Sequence, residues 1–107
     1  MANTRMSLDE VEAVALEALL RVGTEGTAAR SLARAVRAAE LDGMRSHGLL
    51  YLPIYCEHVR CGKVDGTAVP VVLANKGAAV VVDAATGFAH FAIDIGFERL
   101  VPAAHKL

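Results

Sequence analysis

His47 stands between Ser46 and Gly48, and Tyr51 and Tyr55 follow it four residues apart. Small neighbours leave room for a ligand to approach the imidazole. Imidazole is also the side chain whose unperturbed pKa, about 6.5, lies nearest neutrality, so it can both give and take a proton. The chemistry this suggests is proton transfer to or from a small bound molecule, with two phenols at hand as hydrogen-bond donors. Ser-His-Gly is only three residues long, however. The same pattern serves elsewhere as a helix cap or as an imidazole bonded to a carbonyl, so its meaning depends on what positions it.

The elements that must position it follow from caps and periodicity. Ser7-Leu8-Asp9-Glu10 is a capping box, with Met6 and Val11 at hydrophobic-staple positions. Val11, Val14, Ala15, Ala18, Leu19 and Val22 recur at helical steps, and Gly23 is a suitable stop. A second helix is expected from Thr24 or Thr27, either of which can cap it, to Asp42-Gly43. Ala28, Leu32, Ala35, Val36 and Ala39 form its apolar stripe. Arg30, Arg34 and Arg37 lie on its other side, where an ordinary solvated face is a better reading than a phosphate site. A third helix is expected to start near Gly48 or Leu49, with Pro53 tolerated close to its first turn, and to run to about Arg60. Cys61-Gly62-Lys63 closes it. On this reading His47 sits at the helix entrance, and a tight entrance places it above the face shared by Tyr51 and Tyr55.

The second half reads as α/β. Val69–Leu73 and Ala78–Val82 are expected strands, the first confined to a start or an edge by Pro70, the second buried on both faces. Asn75-Lys76-Gly77 is the turn between them, so the pair is a hairpin. Thr86-Gly87 opens a last helix with two apolar faces, Phe88, Phe91, Ala92, Ile95 and Leu100 on one and Ile93, Phe97 and Val101 on the other. Such a helix needs partners on two sides. Pro102 is expected to disrupt it. The boundary between a helical segment, 1–66, and the start of an α/β core, 67–107, falls after the polar stretch around Asp65-Gly66.

Composition narrows the classes of function. The 107 residues suffice for one core, and 54% of them are hydrophobic. Mean hydropathy is +0.40. No apolar run approaches the roughly 18 residues of a membrane span, and Met1–Met6 lacks a leader's apolar core. The excess apolar surface therefore calls for a cover, either oligomerisation or the remainder of something larger. A net charge of −1 gives no general pull toward nucleic acid or anionic lipid. Cys56 and Cys61 do not have metal-ligand spacing, so no metal is expected, and as free thiols they point to a reducing cytoplasm.

The run Ala39-Glu40-Leu41-Asp42-Gly43-Met44-Arg45-Ser46-His47-Gly48-Leu49-Leu50 resembles the Ala-Asp-x-x-Gly-x-x-Ser-His-Gly signature of the malate/L-lactate dehydrogenase family, whose fold is not the Rossmann fold. Leu52-Pro53-x-Tyr55, Gly62, Gly77-Ala78-Ala79 to Val82-Asp83, and Thr86-Gly87-Phe88-Ala89-His90 continue the likeness in order. The resemblance implies hydride transfer between NAD or NADP and a small 2-oxo or 2-hydroxy acid. His47 would be the catalytic acid and base, with Ser46, Tyr51 and Tyr55 beside the substrate. It also implies a homo-oligomer or a partner chain, because family members are several-fold longer and carry a second catalytic histidine and aspartate further on. The chain is then an N-terminal portion, a split subunit or a remnant. Two departures stand out. Tyr51 occupies the position of a family arginine, which removes a charge-assisted contact of about 1.5–3 kcal/mol to a substrate carboxylate, with Arg45 the nearest replacement. Ala84 stands where glycine is usual.

Two readings of other classes compete. One is a non-catalytic interaction subunit that buries its last helix on a partner. The other is a small helix-turn-helix domain with arginines on its second helix, which the charge balance and the strand-rich second half disfavour. His90 and His105 are left without a role; His90 beside glycine at a helix start is as well explained by the helix as by a ligand.

Overall fold

The computed structural model describes residues 5–106, so Met1–Thr4 of the segment read as lacking a leader, and Leu107, lie outside the described residues. Helix α1 spans Leu8–Arg21, α2 Gly26–Leu41, α3 Leu52–Arg60 and α4 Ala89–His105. Strands β1, Val71–Lys76, and β2, Ala79–Asp83, lie between α3 and α4, and two single 3-10 turns, Arg45–His47 and Leu49–Tyr51, join α2 to α3. The chain is thus α/β, with the helical part preceding one strand pair and one further helix.

The capping box forms as expected. Ser7 Oγ accepts from the Glu10 amide at 3.1 Å, and the Glu10 carboxylate accepts from the Ser7 amide at 3.0 Å. The Ser7 amide, and secondarily the Ser7 hydroxyl, hold the Glu10 carboxyl below the usual carboxylate range, since each favours its ionised form. Ser7→Ala is expected to lower unfolding free energy by about 1 kcal/mol, read from the urea midpoint. At the other end, the Thr24 amide bonds Leu19 O and the Gly23 amide bonds Leu20 O, with Gly23 at φ 97°. This is the paired-bond ending that a left-handed glycine allows.

The start of α2 corrects the reading. The cap is Glu25, neither Thr24 nor Thr27, because its longer carboxylate reaches both the Thr27 and Ala28 amides, at 2.9 and 3.2 Å. Thr24 is buried with its hydroxyl unpartnered. The arginines of α2 are largely engaged in ion pairs: Arg37 with Asp9 and Glu12 of α1, and Arg34 with Asp94 of α4.

The core lies between the first three helices. Val11, Ala15 and Leu19 of α1 meet Ala29, Leu32, Ala33 and Val36 of α2, with Leu52 and Cys56 of α3 and Phe88 closing one side. Alanines on the facing stripes let the helices approach closely, while Leu19, Leu32 and Val36 fill the centre and are fully buried. Backbone bonds carry the helical part to the rest: Glu25 N to Gly66 O at 2.7 Å, and Asp65 N to Thr86 O at 2.9 Å.

The hairpin is antiparallel, pairing Val71 with Asp83 and Lys76 with Ala79, and its register shifts between Val72 and Ala74. Both expected strands move. β1 starts two residues late, after Pro70, which has no amide to give a ladder, and it runs on through Asn75 and Lys76 so that the turn is Gly77-Ala78. β2 is not buried on both faces; alternate residues are open, and Val81 is 50% exposed. α4 packs on β2 and α2. It continues through Pro102 to His105 rather than breaking, with the proline, which has no amide to donate, one turn from the helix end. Ile93, Phe97 and Val101 stay more than half exposed, on the side of α4 that neither β2 nor α2 covers.

Candidate active site

The site grows from the end of α2. Gly43 adopts φ 74°, which lets Gly43 N bond Glu40 O at 3.2 Å and Met44 N bond Ala39 O at 2.8 Å. The chain is turned out of the helix and enters two 3-10 turns. His47 N bonds Met44 O, Gly48 N bonds Arg45 O, and Tyr51 N bonds Gly48 O, at 3.0 to 3.1 Å. An α-helix from Gly48 does not form; α3 begins at Leu52, with Pro53 in its first turn. His47 therefore lies one turn before the helix entrance.

Residues 41–47 are all exposed, so Arg45, Ser46 and His47 stand on open surface. The imidazole is not packed into the interior. Beneath it the chain is tied down by Glu40, whose Oε1 accepts from the Leu49 amide at 2.8 Å. Gly48 is buried there. A Cβ on it would lie 2.7 Å from Glu40 Cδ and 2.9 Å from Cγ, a distance no side chain accepts.

Tyr51 and Tyr55 do share a face. Their ring centroids are 4.8 Å apart at an interplanar angle of 67°, an edge-to-face pair. Both are half-buried. Burial pushes the Tyr55 phenol above its usual value, so it remains a hydrogen-bond donor at neutral pH. Tyr55 also meets Phe88 at 5.8 Å and His90 at 6.0 Å, edge-on to both rings.

His90 is the residue that sequence reasoning left unplaced and that the fold brings to the phenols. It sits in the first turn of α4, after a loop in which Ala85 and Thr86 both take positive φ, 54° and 65°. Two such non-glycine residues in succession store strain. The loop is held by Asp83 Oδ1, which accepts from Ala85 N at 2.8 Å, and by Gly87 N bonding Ala84 O at 2.9 Å. His90 Nδ1 is buried without a hydrogen-bond partner.

Burial lowers the His90 pKa from 6.5, and the nearby Asp94 carboxylate opposes this only in part. A histidine depressed in the folded state binds its proton more readily when unfolded. Its neutral form contributes stability above the unfolded value of 6.5, and that contribution is lost as the pH falls through the folded value. Thermal unfolding is thus expected to shift to lower temperature below about pH 6.5, before carboxylates titrate, and His90→Gln is expected to flatten that part of the profile.

The described residues contain no group of three or more metal-ligating side chains. No described helix is long and apolar enough to cross a membrane.

Comparison with known proteins identifies the family. The sequence profile of malate/L-lactate dehydrogenases matches residues 6–107. A (2R)-3-sulfolactate dehydrogenase (NADP(+)) from Chromohalobacter salexigens is 43% identical over 102 residues, covering 95% of this chain and 30% of that protein. A Delta(1)-pyrroline-2-carboxylate reductase from Ancylobacter novellus is 36% identical over 103 residues, 96% of this chain and 30% of that protein. Among solved structures, the delta1-piperideine-2-carboxylate reductase from Pseudomonas syringae superposes with a TM-score of 0.91 at 33% identity, over 97% of this chain and 31% of that one. The malate dehydrogenase from Entamoeba histolytica gives 0.90 at 27% identity, over 98% and 29%. The chain spans about 30% of the length of the curated relatives it matches. With 102 of its residues under the family profile, the chain belongs to the malate/L-lactate dehydrogenase family.

Proposed function

We propose that this chain supplies the proton-transfer part of an NAD(P)-dependent reductase of small 2-oxo acids. The observation that carries the reading is the exposed His47 on a tethered turn, in a chain of a family of dehydrogenases. In the reduction, His47 in its protonated form donates to the substrate's carbonyl oxygen as the carbon gains a hydride; in the reverse direction neutral His47 takes that proton back. The same proton is delivered to nitrogen if the substrate is a cyclic imino acid, the class named for several relatives.

Ser46 and the phenols of Tyr51 and Tyr55 are the proposed substrate contacts. Tyr51 donates one neutral hydrogen bond to a carboxylate, and Arg45, exposed in the turn of His47, is the closest cation in sequence. A bound reduced nicotinamide supplies the hydride. The exposed turn and the half-buried ring pair fit the reacting end of such a cofactor. The open outer face of α4 is the proposed seat of a second copy or of a partner chain that completes the site. Free thiols at Cys56 and Cys61 fit a cytoplasmic enzyme.

The test is oxidation of NADH and NADPH with pyruvate, oxaloacetate, sulfopyruvate and pyrroline-2-carboxylate. The chain is assayed alone and with a polypeptide supplying the other two thirds of a relative's length. Oxidation that requires one of these acids supports the reading. Oxidation that ignores all of them, in every combination, overturns it.

A further inference from the structure

Glu40 is an acid in the last turn of α2, where the helix's negative pole favours cations and where α2 carries no basic residue. Such a placement needs a compensating partner. The carboxylate has one, the Leu49 amide at 2.8 Å and nine residues further on. Three observations converge on that bond. The turns between α2 and α3 contain only two i to i+3 bonds each, with little regular structure to fix them. Every side chain from Leu41 to His47 is exposed, so packing does not hold the segment either. And Gly48 is buried with the Glu40 side chain occupying the place of its missing Cβ. Glu40 and Gly48 are a matched pair: one fills the space that the other vacates.

We infer that Glu40 is a positioning residue for His47, holding the Ser46-His47-Gly48 turn from below through the Leu49 amide. It acts through the backbone and touches no reacting atom. The inference rests on the reading of His47 as the proton donor. Without the carboxylate, the turn is free to move the imidazole away from a substrate by an ångström or more, enough to cost on the order of 10² in rate.

The test compares Glu40→Ala, Glu40→Gln and the parent chain. Amide hydrogen exchange at Leu49 and the His47 ring resonances are recorded on this chain, and turnover is measured in the completed enzyme. Glu40→Ala is expected to speed Leu49 exchange by about tenfold or more, broaden the His47 ring signals and lower kcat by about 10–100-fold with a smaller change in KM. Glu40→Gln keeps a carbonyl acceptor and is expected to restore all three. If Glu40→Ala does not fold, Gly48→Ala serves, because its Cβ displaces the carboxylate and must give the same pattern. Unchanged Leu49 exchange and unchanged His47 signals in Glu40→Ala, or in Gly48→Ala, overturn the inference. The exchange and ring signals report the tether whether or not His47 is the proton donor. Failure of that separate reading shows as His47→Ala retaining full turnover.

Discussion

His47→Ala is expected to lower kcat for reduction by about 10²–10⁴-fold while leaving the thermal unfolding midpoint nearly unchanged. The two halves of this result come from different parts of the structure. Removing a general acid forfeits proton transfer in the transition state, a contribution of that size wherever a positioned side chain supplies it. The ring itself contributes little to the fold, because Leu41 to His47 are exposed and His47 lies outside the core. His47→Gln, which keeps a polar group of similar reach without a titrating proton, is expected to behave like the alanine variant. Steady-state rates with the preferred acid, alongside a melting curve of the same sample, separate catalysis from folding.

Leu32→Ala is expected to produce the opposite pattern, a loss of about 2–5 kcal/mol in unfolding free energy with activity falling only because the folded fraction falls. Leu32 is 0% exposed, at the centre of the cluster joining α1, α2 and α3. Alanines already line the facing stripes, so the neighbours have little bulk with which to fill the hole. A domain of this size has about 5–15 kcal/mol in total, so the variant sits near its unfolding threshold at room temperature. Leu50, 73% exposed beside the site, is the control: Leu50→Ala is expected within about 0.5 kcal/mol of the parent. Urea unfolding followed by circular dichroism distinguishes the two leucines.

Local signals in the chain were legible because their causes are local. The Ser7-to-Glu10 box and the glycine stops at Gly23 and Gly43 depend on residues within one turn, and the structure has each of them. The start of α2 is hidden in the sequence because two threonines have the usual capping chemistry, whereas a glutamate caps only when its side chain folds back on its own helix, as Glu25 does. Strand ends are not legible in the sequence because the apolar run does not mark where pairing begins; the ladder partner does. At the site, His47 and the phenols announce themselves by residue type. Glu40 and His90 do not. The importance of Glu40 lies in a bond to an amide nine residues away and in an absent Cβ, and that of His90 in a Tyr55 ring supplied by another helix. An acid out of place at a helix end, followed by a glycine in the next turn, is the trace in sequence that points to the first of these.

Chemical rescue tests the account most directly. In the completed enzyme, His47→Ala is assayed for nicotinamide oxidation with the preferred acid while free imidazole is titrated into the solution. The account predicts a severely slowed variant whose rate rises with imidazole, since the added ring supplies the missing proton beside the small residues Ser46 and Gly48. A variant that oxidises the cofactor at the parent rate with no imidazole present would contradict it.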